Sequence, residues 1–358
     1  MLMHKTKGWQ RKEAEFMLHA GIDLHKRTSV VTVVDDAGKD VVAGQRLDND
    51  EAEIRESFTS FDEELHAVLE AGPSWHWMCD LLDEMDIDNV LCHPLKVKAI
   101  ASARIKTDTI DSGILAQLLR MDFLPESYKP DLETRQLKDL LRYRSSLVRI
   151  RTGLKNRIHA LLARLNVRHG FSDLFGKAGL SFLADIDLAP VHRQALDGYL
   201  SVLETIRRLL KEVEAELLVF YESSEEAKLL STIPGVGPIL SLTIISEIGD
   251  IERFGSAKHL ASFAGLVSTT SQSGDHCWHG HITRQGSPWL RWALVEAVIH
   301  TINYPGPLRT SYDKLKKRKG AKIARVASAR KLSTCIYHML KENKEFSEVM
   351  AYRSGDLG

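Results

Sequence analysis

Apolar residues in the first 130 positions fall partly into short runs and partly into helical spacings. The short runs, rich in Val, Ile and Leu, predict five strands. The first ends near Asp23, the second and third join at a hairpin turn over 35–38, the fourth ends at Glu70, and Pro94 stops the fifth.

Helical spacing fills the gaps between these strands. Residues 49–62 and the segments "SWHWMCDLLDEM", "LKVKAIASA" and "TIDSGILAQLLR" keep an apolar period of about 3.6, and Ser74 is placed to cap the second of these helices. This order of elements predicts a mixed sheet flanked by helices, as in the ribonuclease H fold. We therefore expect an α/β first part followed by an all-α remainder.

The remainder of the chain is predicted to be helical. After a linker at Pro125 to Pro130, an apolar period runs over 131–166 and again over 190–221. Two long amphipathic helices of this kind predict an antiparallel coiled coil. Further along, "PGVGP" predicts a tight turn between two apolar helices. The predicted segments are an extension (1–17), an α/β domain (18–128), a helical region (129–226), a second domain (227–345) and a tail (346–358).

Composition fits a chain that can bury a core. Of the 358 residues, 44% are apolar, yet no apolar run is long enough to span a bilayer, and the charged start lacks the apolar centre of a signal peptide. The four cysteines are scattered, without a Cys-x-x-Cys pair. We expect a reduced, cytoplasmic protein.

The net charge of zero hides segregated charges. Residues 48–88 carry 14 acidic residues and one basic residue, whereas 135–168 carry 10 basic residues and one acidic residue, and 314–331 carry nine basic residues and no acidic one. A solvated helix face usually mixes the two signs, so the unmixed basic segments favour binding to a polyphosphate. The last of them is predicted to be a basic loop followed by a helix.

Candidate contacts to nucleic acid come from these segments and from the turns. Gly235 and Gly237 permit a helix-hairpin-helix turn whose backbone N–H groups face a phosphate; the alternative is a plain turn between packed helices. The full set is Lys106, Arg142, Arg144, Arg149, Arg151, Lys155, Arg157, Gly235, Gly237, Arg284, Arg291, Lys316, Lys317, Arg318 and Lys319.

Four carboxylates occupy the ends of predicted elements. Asp23 and Glu70 end strands, and Asp108 and Asp111 open a helix, three residues apart and therefore on one face. Asp in a first helical turn is common on its own, because it complements the helix dipole. A ribonuclease H-like sheet, however, brings all four together, and crowded carboxylates need cations. We predict a site for Mg²⁺ or Mn²⁺, which in pairs about 4 Å apart promote phosphodiester cleavage.

At this point the chain resembles a known family. "GIDLHKRTSVVTVVD", "LEAGPSWHWMCDLL", "HPLKVKAIASARIKTDTIDSGILAQLL" and "IPGVGPILSLTIISEIGDIERFGSAKHLASFAGL" are similar, in this order, to the DEDD transposases of bacterial insertion sequences, the insertion-sequence 110 class. The resemblance covers about residues 18–343. It implies a RuvC-like first domain whose Asp, Glu, Asp and Asp match Asp23, Glu70, Asp108 and Asp111.

The resemblance also implies a second catalytic element. In "SQSGDHCWHGHITRQGSPWLRWAL" the pair Ser273-Gly274 matches the family's Ser-Gly, whose serine is taken to be a nucleophile that forms a covalent phosphoserine intermediate. Ser271 is two residues early, and Ser287 stands where the family usually has Asn, so it is interpreted as a structural variant.

The resemblance implies a bacterial cell and an association with its nucleoid, and it implies partners as well. They are the DNA of the element ends and of the target, a structured guide RNA from the element, and further copies of the chain, as a homodimer that assembles to a tetramer. Two rival functions remain: a RuvC-like junction nuclease that uses water, and a non-catalytic nucleic-acid scaffold. A zinc site in "HCWHGH" is disfavoured, because His276, Cys277, His279 and His281 are spaced too tightly for one tetrahedral ion.

Overall fold

A computed structural model describes residues 17–101, 107–273 and 276–353. The chain divides into two compact units, Met1–Lys129 and Pro130–Gly358, and each is described by itself. No helix of the described residues is long and apolar enough to cross a membrane. The predicted five-segment division of the chain stays a prediction.

A six-stranded mixed sheet forms the centre of the first unit. The strand order is β3-β2-β1-β4-β5-β6; β1 pairs parallel with β4, and β4 parallel with β5, while the other pairs are antiparallel. The strands are β1 (Met17–Leu24), β2 (Thr28–Val34), β3 (Asp40–Asp48), β4 (Glu64–Glu70), β5 (Asp88–Cys92) and β6 (Glu126–Ser127).

Helices cover both faces of this sheet. They are α1 (Glu51–Thr59), α2 (Trp75–Glu84), α3 (Pro94–Ile100) and α4 (Asp108–Arg120). On one face Ile54 of α1 and Met78 of α2 pack on Ile22 and Leu69 of the central strands. On the other face Leu115 of α4 packs against Val68. The central strands are nearly continuous apolar runs because both of their faces are buried.

Two details of the first unit differ from the sequence prediction. The predicted linker contains β6, which pairs antiparallel with β5 through Leu91↔Ser127 and Cys92↔Glu126; two residues are too few to show an apolar period. Ser74 occupies the N-cap position of α2, but its side chain makes no capping hydrogen bond. Its backbone, with φ −109° and ψ 7°, departs from the extended conformation typical of a capping residue.

Two long helices dominate the start of the second unit. They are α5 (Leu132–Arg164) and α7 (Pro190–Ser223), with α6 (Lys177–Asp185) between them. Leu141 and Leu154 of α5 share a buried cluster with Leu210 and Leu217 of α7. Farther along α5, Ile158 meets Leu196 and Leu203, from earlier in α7. The two helices therefore run antiparallel along a common apolar seam.

The rest of the second unit is a helical cluster with one hairpin. Its elements are α8 (Glu225–Leu230), α9 (Pro238–Ile248), α10 (Ala257–Phe263), β7 (Ser268–Ser273), β8 (His276–Ile282), α11 (Pro288–Thr301), α12 (Pro307–Lys319), α13 (Ala321–Glu342) and α14 (Phe346–Arg353). Ile244, Leu260, Leu294 and Ile336 meet in its core.

Two predictions for this part were wrong. It is not entirely helical, because β7 and β8 form an antiparallel hairpin over 268–282. That segment lacks an apolar helical period, so nothing in it favours a buried helix face. The expected basic loop is also helical: Lys316, Lys317, Arg318 and Lys319 form the last turn of α12, where positive charge complements the helix dipole. Gly320, with φ +84°, ends that helix.

Candidate active site

Strand register brings two of the predicted carboxylates to one edge of the sheet. β1 and β4 pair in parallel up to Ile22↔Leu69, so Asp23 and Glu70 follow on neighbouring strands at the same end. Glu70 itself pairs with Cys92 of β5. Because the carboxyl ends of parallel strands meet at one edge, both acids lie where a ligand-binding crevice forms in sheets of this kind.

Both acids also face helix α4. Side chains alternate along a strand, and Ile22 and Leu69 belong to the opposite, α1–α2 face. Gly21 contacts α4 so closely that a Cβ there would overlap the Ser112 carbonyl oxygen and lie 2.5 Å from the Ala116 nitrogen. Asp23, two residues after Gly21, is therefore on the α4 side. The same alternation puts Glu70 on that side, with Val68.

The start of α4 is held on the sheet by a buried polar network. Thr32 Oγ1 of β2 lies 2.8 Å from Ser112 Oγ and accepts a 3.1 Å hydrogen bond from the Gly44 backbone N–H. Thr107 is the N-cap, and its hydroxyl accepts from the Ile110 N–H at 3.3 Å. The cap is thus a threonine, and Asp108 and Asp111 follow it in the first turn.

His25 connects two of the predicted acids and was missed in the sequence. Its Nε2 lies 3.3 Å from Asp23 Oδ2 and 3.3 Å from Asp108 Oδ1. One ligand atom from each of these residues lies within 4.8 Å of the others. The available signal was its position two residues after Asp23, where the strand has just ended.

The donor set fits a divalent cation. Two carboxylates and an imidazole converge on one point, and Glu70 arrives at the neighbouring strand end. Burial, and then the negative charge of Glu70, raise the pKa of the Cys92 thiol to about 12, so the free thiol is neutral. Oxygen ligands of this kind suit Mg²⁺ and Mn²⁺. Among the described residues, the ligand atoms that lie within 4.8 Å of one another belong to Asp23, His25 and Asp108, and this group does not include Glu70 or Asp111.

Ser273 is the last residue of β7 and pairs with His276 across the hairpin. Gly274, its partner in the predicted Ser-Gly pair, lies outside the described residues, as do Lys106 and most of the extension 1–17. Within "HCWHGH", the structure describes the side-chain surroundings only at Trp278, Gly280 and His281. The zinc site considered for this segment therefore lies outside the described residues.

The two ends of this hairpin are tied together by Arg291 of α11. Its Nη1 donates to the carbonyl oxygens of Ala264, at 3.1 Å, and Arg284, at 3.3 Å, one on each side of the hairpin. Gly265, with φ +65°, makes room for that guanidinium, which lies 2.5 Å from the place of a Cβ. Burial, and then the positive charge of Arg284, lower the pKa of Arg291. Arg291 was predicted to bind nucleic acid, but this side chain is engaged within the fold.

Ser287 begins helix α11 and has a structural role. Its hydroxyl accepts from the Leu290 N–H at 3.0 Å and donates to Glu247 Oε2 at 2.8 Å. Glu247 is buried, and its other oxygen accepts a 3.3 Å hydrogen bond from Arg142 of α5. Arg142 was another candidate for nucleic acid, and in the fold its guanidinium pairs with this buried carboxylate.

The other α5 residues that were candidates for nucleic-acid binding divide into two groups. Arg144 pairs with Glu214 of α7, 2.7 Å away, and Lys155 lies over the Phe175 ring, 4.6 Å from its centroid. Arg157 instead lines an open groove of about 330 Å³. The other residues of that groove are Ala160, Leu161, Arg164, Ala195 and Tyr199. Arg149 is exposed and Arg151 half-buried on the same helix.

Other nucleic-acid candidates are exposed or structural. Arg284 and the four basic residues 316–319 are exposed. Gly235, with φ +83°, packs against His300 so tightly that a Cβ would collide with it. Gly237 is the N-cap of α9, with open space around it. Of the two glycines, Gly237 is the one whose surroundings leave room for a phosphate.

Comparison with known proteins assigns the chain to the transposases, a class of DNA-processing enzymes. A family model described as "Transposase", of the DEDD type, matches residues 20–167, which include the carboxylate cluster. A second model, "Transposase IS116/IS110/IS902 family", matches residues 227–313, which include the hairpin. The chain belongs to this IS110-type family of transposases.

Full-length relatives agree with this assignment. The transposase for insertion sequence element IS1111A of Coxiella burnetii is 24% identical over 333 residues, which cover 91% of this chain and 90% of that protein. A probable family 20 transposase of Pseudomonas aeruginosa is 24% identical and covers 94% and 98%. The pilin gene-inverting protein of Moraxella bovis is 28% identical and covers 79% and 82%.

Family membership has three direct consequences. The chain is a transposase or recombinase, it binds DNA, and a divalent metal ion takes part in the activity of its DEDD domain. The six-stranded mixed sheet flanked by helices is consistent with a DEDD nuclease-like fold.

Proposed function

We propose that the protein is the recombinase of a mobile element and that it cuts and rejoins DNA with two groups: the carboxylates Asp23, Glu70, Asp108 and Asp111, and the hydroxyl of Ser273. In this proposal the first unit has a ribonuclease H-like, RuvC-like fold. The observation that supports it most is the meeting of Asp23 and Asp108, from distant parts of the sequence, around His25 Nε2.

The protein residues have distinct roles. Asp23, Glu70, Asp108 and Asp111 hold the divalent cation, Mg²⁺ or Mn²⁺, and Thr107, Thr32 and Ser112 fix the helix that carries two of these acids. When bound, such ions polarise phosphate oxygens and lower the pKa of a nucleophile. The basic surfaces of α5 and α12 bind the phosphate backbone.

In this proposal Ser273 is the nucleophile and holds the cut DNA strand covalently during strand exchange. Its Oγ forms a bond to phosphorus as one phosphodiester P–O bond breaks; the released strand end takes up the proton, and the phosphoserine bond keeps the energy needed for rejoining. Attack by a strand end on this intermediate restores the serine. We further propose that a structured guide RNA selects the sites, and that the protein acts as a homodimer that assembles to a tetramer on two duplexes.

The carboxylate roles can be tested by charge-neutralising substitution. Asp108→Asn and Asp111→Asn should each abolish recombination between plasmids that carry the element ends and the target, in Mg²⁺ or Mn²⁺. Asp122→Asn is the matched control, because Asp122 follows the same helix at its other end, with φ +52°, and Asn tolerates that backbone. Unchanged recombination in the Asp111 and Asp108 variants would refute the metal-site assignment and favour a scaffold.

The serine role needs a separate experiment. Ser273→Ala should eliminate the covalent protein–DNA adduct, detected as DNA retained on denatured protein, whereas Ser271→Ala on the same strand should keep it. If adduct and strand exchange survive in Ser273→Ala, the serine mechanism is wrong. If the wild type forms no adduct and the Ser273→Ala variant still nicks DNA, the junction nuclease that uses water describes the protein better.

The guide RNA is tested by sequencing the RNA that co-purifies with the protein. A single structured species that maps beside the element supports guidance. Heterogeneous fragments from the whole transcriptome would refute it.

A further inference from the structure

We propose that His25 is a direct ligand of the divalent cation through Nε2, and that this nitrogen makes the site prefer Mn²⁺ over Mg²⁺. The proposal rests on the function proposed above, because it adds a nitrogen donor to the cation site of Asp23 and Asp108. His25 contacts both of these acids but is not one of the four carboxylates predicted from the sequence.

The distances already match a coordination sphere. Neighbouring ligands of an octahedral ion with bonds of about 2.1 Å lie about 3.0 Å apart. His25 Nε2 is 3.3 Å from Asp23 Oδ2 and 3.3 Å from Asp108 Oδ1. All three ligand atoms lie within 4.8 Å of one another, so one cation placed between them would contact all three. The imidazole thus occupies the position of a ligand adjacent to both carboxylates.

The backbone that carries His25 is braced. The His25 N–H donates to the Thr28 carbonyl at 3.0 Å, which closes the turn between β1 and β2. The Asn49 side chain donates to the His25 carbonyl at 2.9 Å and accepts from Ser29 Oγ at 2.6 Å. The Asn49 N–H in turn donates to the Arg27 carbonyl at 2.8 Å. Asn49 thus makes three hydrogen bonds to this turn, more than a simple connection between two strands requires. These bonds hold the backbone of His25 in place.

An ion pair alone would be a weak reason for this arrangement. The side chains of His25 and Asp108 are both 47% exposed, and exposed pairs contribute little to stability. A shared cation explains the placement better, because imidazole nitrogen is a good ligand for first-row transition ions, whereas Mg²⁺ takes oxygen ligands almost exclusively. A mixed nitrogen and oxygen set therefore shifts selectivity towards Mn²⁺.

The test measures Mn²⁺ itself on the full-length protein, without DNA. Mn²⁺ affinity is obtained from the loss of the free-ion electron paramagnetic resonance signal, and Mg²⁺ affinity from its competition with Mn²⁺. Electron spin echo modulation then detects a ¹⁴N nucleus bonded to the ion. His25→Ala should weaken Mn²⁺ binding about tenfold or more, change Mg²⁺ binding by less than about threefold, and remove the ¹⁴N modulation.

Two variants separate the possible failures. His338→Ala is the matched control, since that imidazole also lies beside a carboxylate, 3.0 Å from Glu342, outside the cluster; it should behave as the wild type. Asp23→Asn should abolish Mn²⁺ binding. If Asp23→Asn does so while His25→Ala keeps both affinity and ¹⁴N modulation, the His25 proposal is wrong and the proposed function stands. If the wild type binds no Mn²⁺, the carboxylate site itself fails, and His25 with it.

Discussion

The absence of a side chain at Gly21 determines how closely helix α4 approaches strand β1. Helix and strand meet there at backbone distance, and the same contact fixes where the first turn of α4, with Asp108 and Asp111, lies over Asp23. A residue without any chemistry of its own thereby sets the geometry of the carboxylate cluster.

We predict that Gly21→Ala destabilises the protein by about 1–3 kcal/mol, because its methyl group would force α4 away from the sheet. Mn²⁺ affinity should fall as well, since Asp108 moves with the helix. Gly113→Ala is the control: its Cβ would come no closer than 3.9 Å to Thr32, so replacing a helical glycine should leave stability equal or higher. Urea unfolding and Mn²⁺ titration of both variants measure the two effects. Equal behaviour of the two variants would contradict this role of Gly21.

Ser287 gives a second prediction at this scale. Ser287→Ala removes a helix cap and also one of the donors to the buried Glu247 carboxylate, so the free energy of unfolding should drop by about 2–3 kcal/mol. Ser224→Ala, a cap of α8 that accepts from the Ala227 N–H, should cost only about 1 kcal/mol. Chemical denaturation compares them. A cost for Ser287→Ala no larger than that for Ser224→Ala would mean that the bond to Glu247 adds nothing.

At the scale of the elements, the sequence correctly predicted those strands and helices whose apolar pattern extends over many residues. The strands β1, β2 and β4 have runs of buried positions, and the two long helices have buried faces that repeat over many turns, so their patterns are visible in the sequence. β6 has two residues, and the β7–β8 hairpin, with the sequences STTSQS and HCWHGHI, has few apolar residues to show a period. The strand β6 also depends on its partner β5, where Leu91 pairs with Ser127, and a local pattern does not contain so distant a partner.

For the candidate site, the sequence predicted the acids at the ends of regular elements but not the contacts made by residues in turns or across the fold. Asp23, Glu70 and Asp108 stand at ends of elements, and a fold that aligns those ends brings them together. His25 sits in a turn, where the direction of a side chain depends on bonds such as that from Asn49 to its carbonyl. Arg142 and Arg291 carry the charge expected for nucleic acid, but their internal partners Glu247 and Ala264 are more than 25 residues away.

The groove between α5 and α7 leads to a prediction for DNA binding. Arg157 and Arg164 lie two helical turns apart on one face of α5 and flank the groove that Tyr199 closes on the other side. The double variant Arg157→Glu/Arg164→Glu should weaken binding to duplex DNA and lower the slope of log K against log salt by about 1.8. Arg208→Glu/Lys211→Glu, of equal charge change on α7, should leave the slope near its wild-type value. Fluorescence anisotropy at several salt concentrations measures it, and equal slopes for both double variants would exclude a specific role for the groove.

At the scale of the whole molecule, a net charge of zero is the sum of two different surfaces. The acidic segment 48–88 belongs to the first unit, which also contains Asp23, His25 and Asp108, and the basic segments 135–168 and 314–331 belong to the second. The neutral total therefore gives no indication that the chain binds DNA, whereas the separate segments do.

Stability of the molecule should depend on pH through His66. Burial is the largest influence that lowers the pKa of His66 below its usual 6.5; the charge of His19 lowers it further, and that of Asp88 opposes the shift. Between the lowered pKa and 6.5 the unfolded chain binds a proton that the folded chain does not, so stability is lost as the pH falls below about 6.5. Urea midpoints at pH 7.5, 6.5 and 5.5 should show this loss, with a smaller slope in His66→Leu and an unchanged slope in His192→Leu. A slope that stays the same in His66→Leu would assign it to other groups.

The tie that Arg291 makes between Ala264 and Arg284 has a practical consequence for engineering. Because the two ends of the β7–β8 hairpin are fastened to each other and to α11, the segment between them is a self-contained cassette. Its tip can be exchanged for that of a relative, or lengthened, without redesign of the helical core beneath it. Chimaeras joined at residues 266 and 283 should fold, and each would combine the donor's hairpin with this chain's own core.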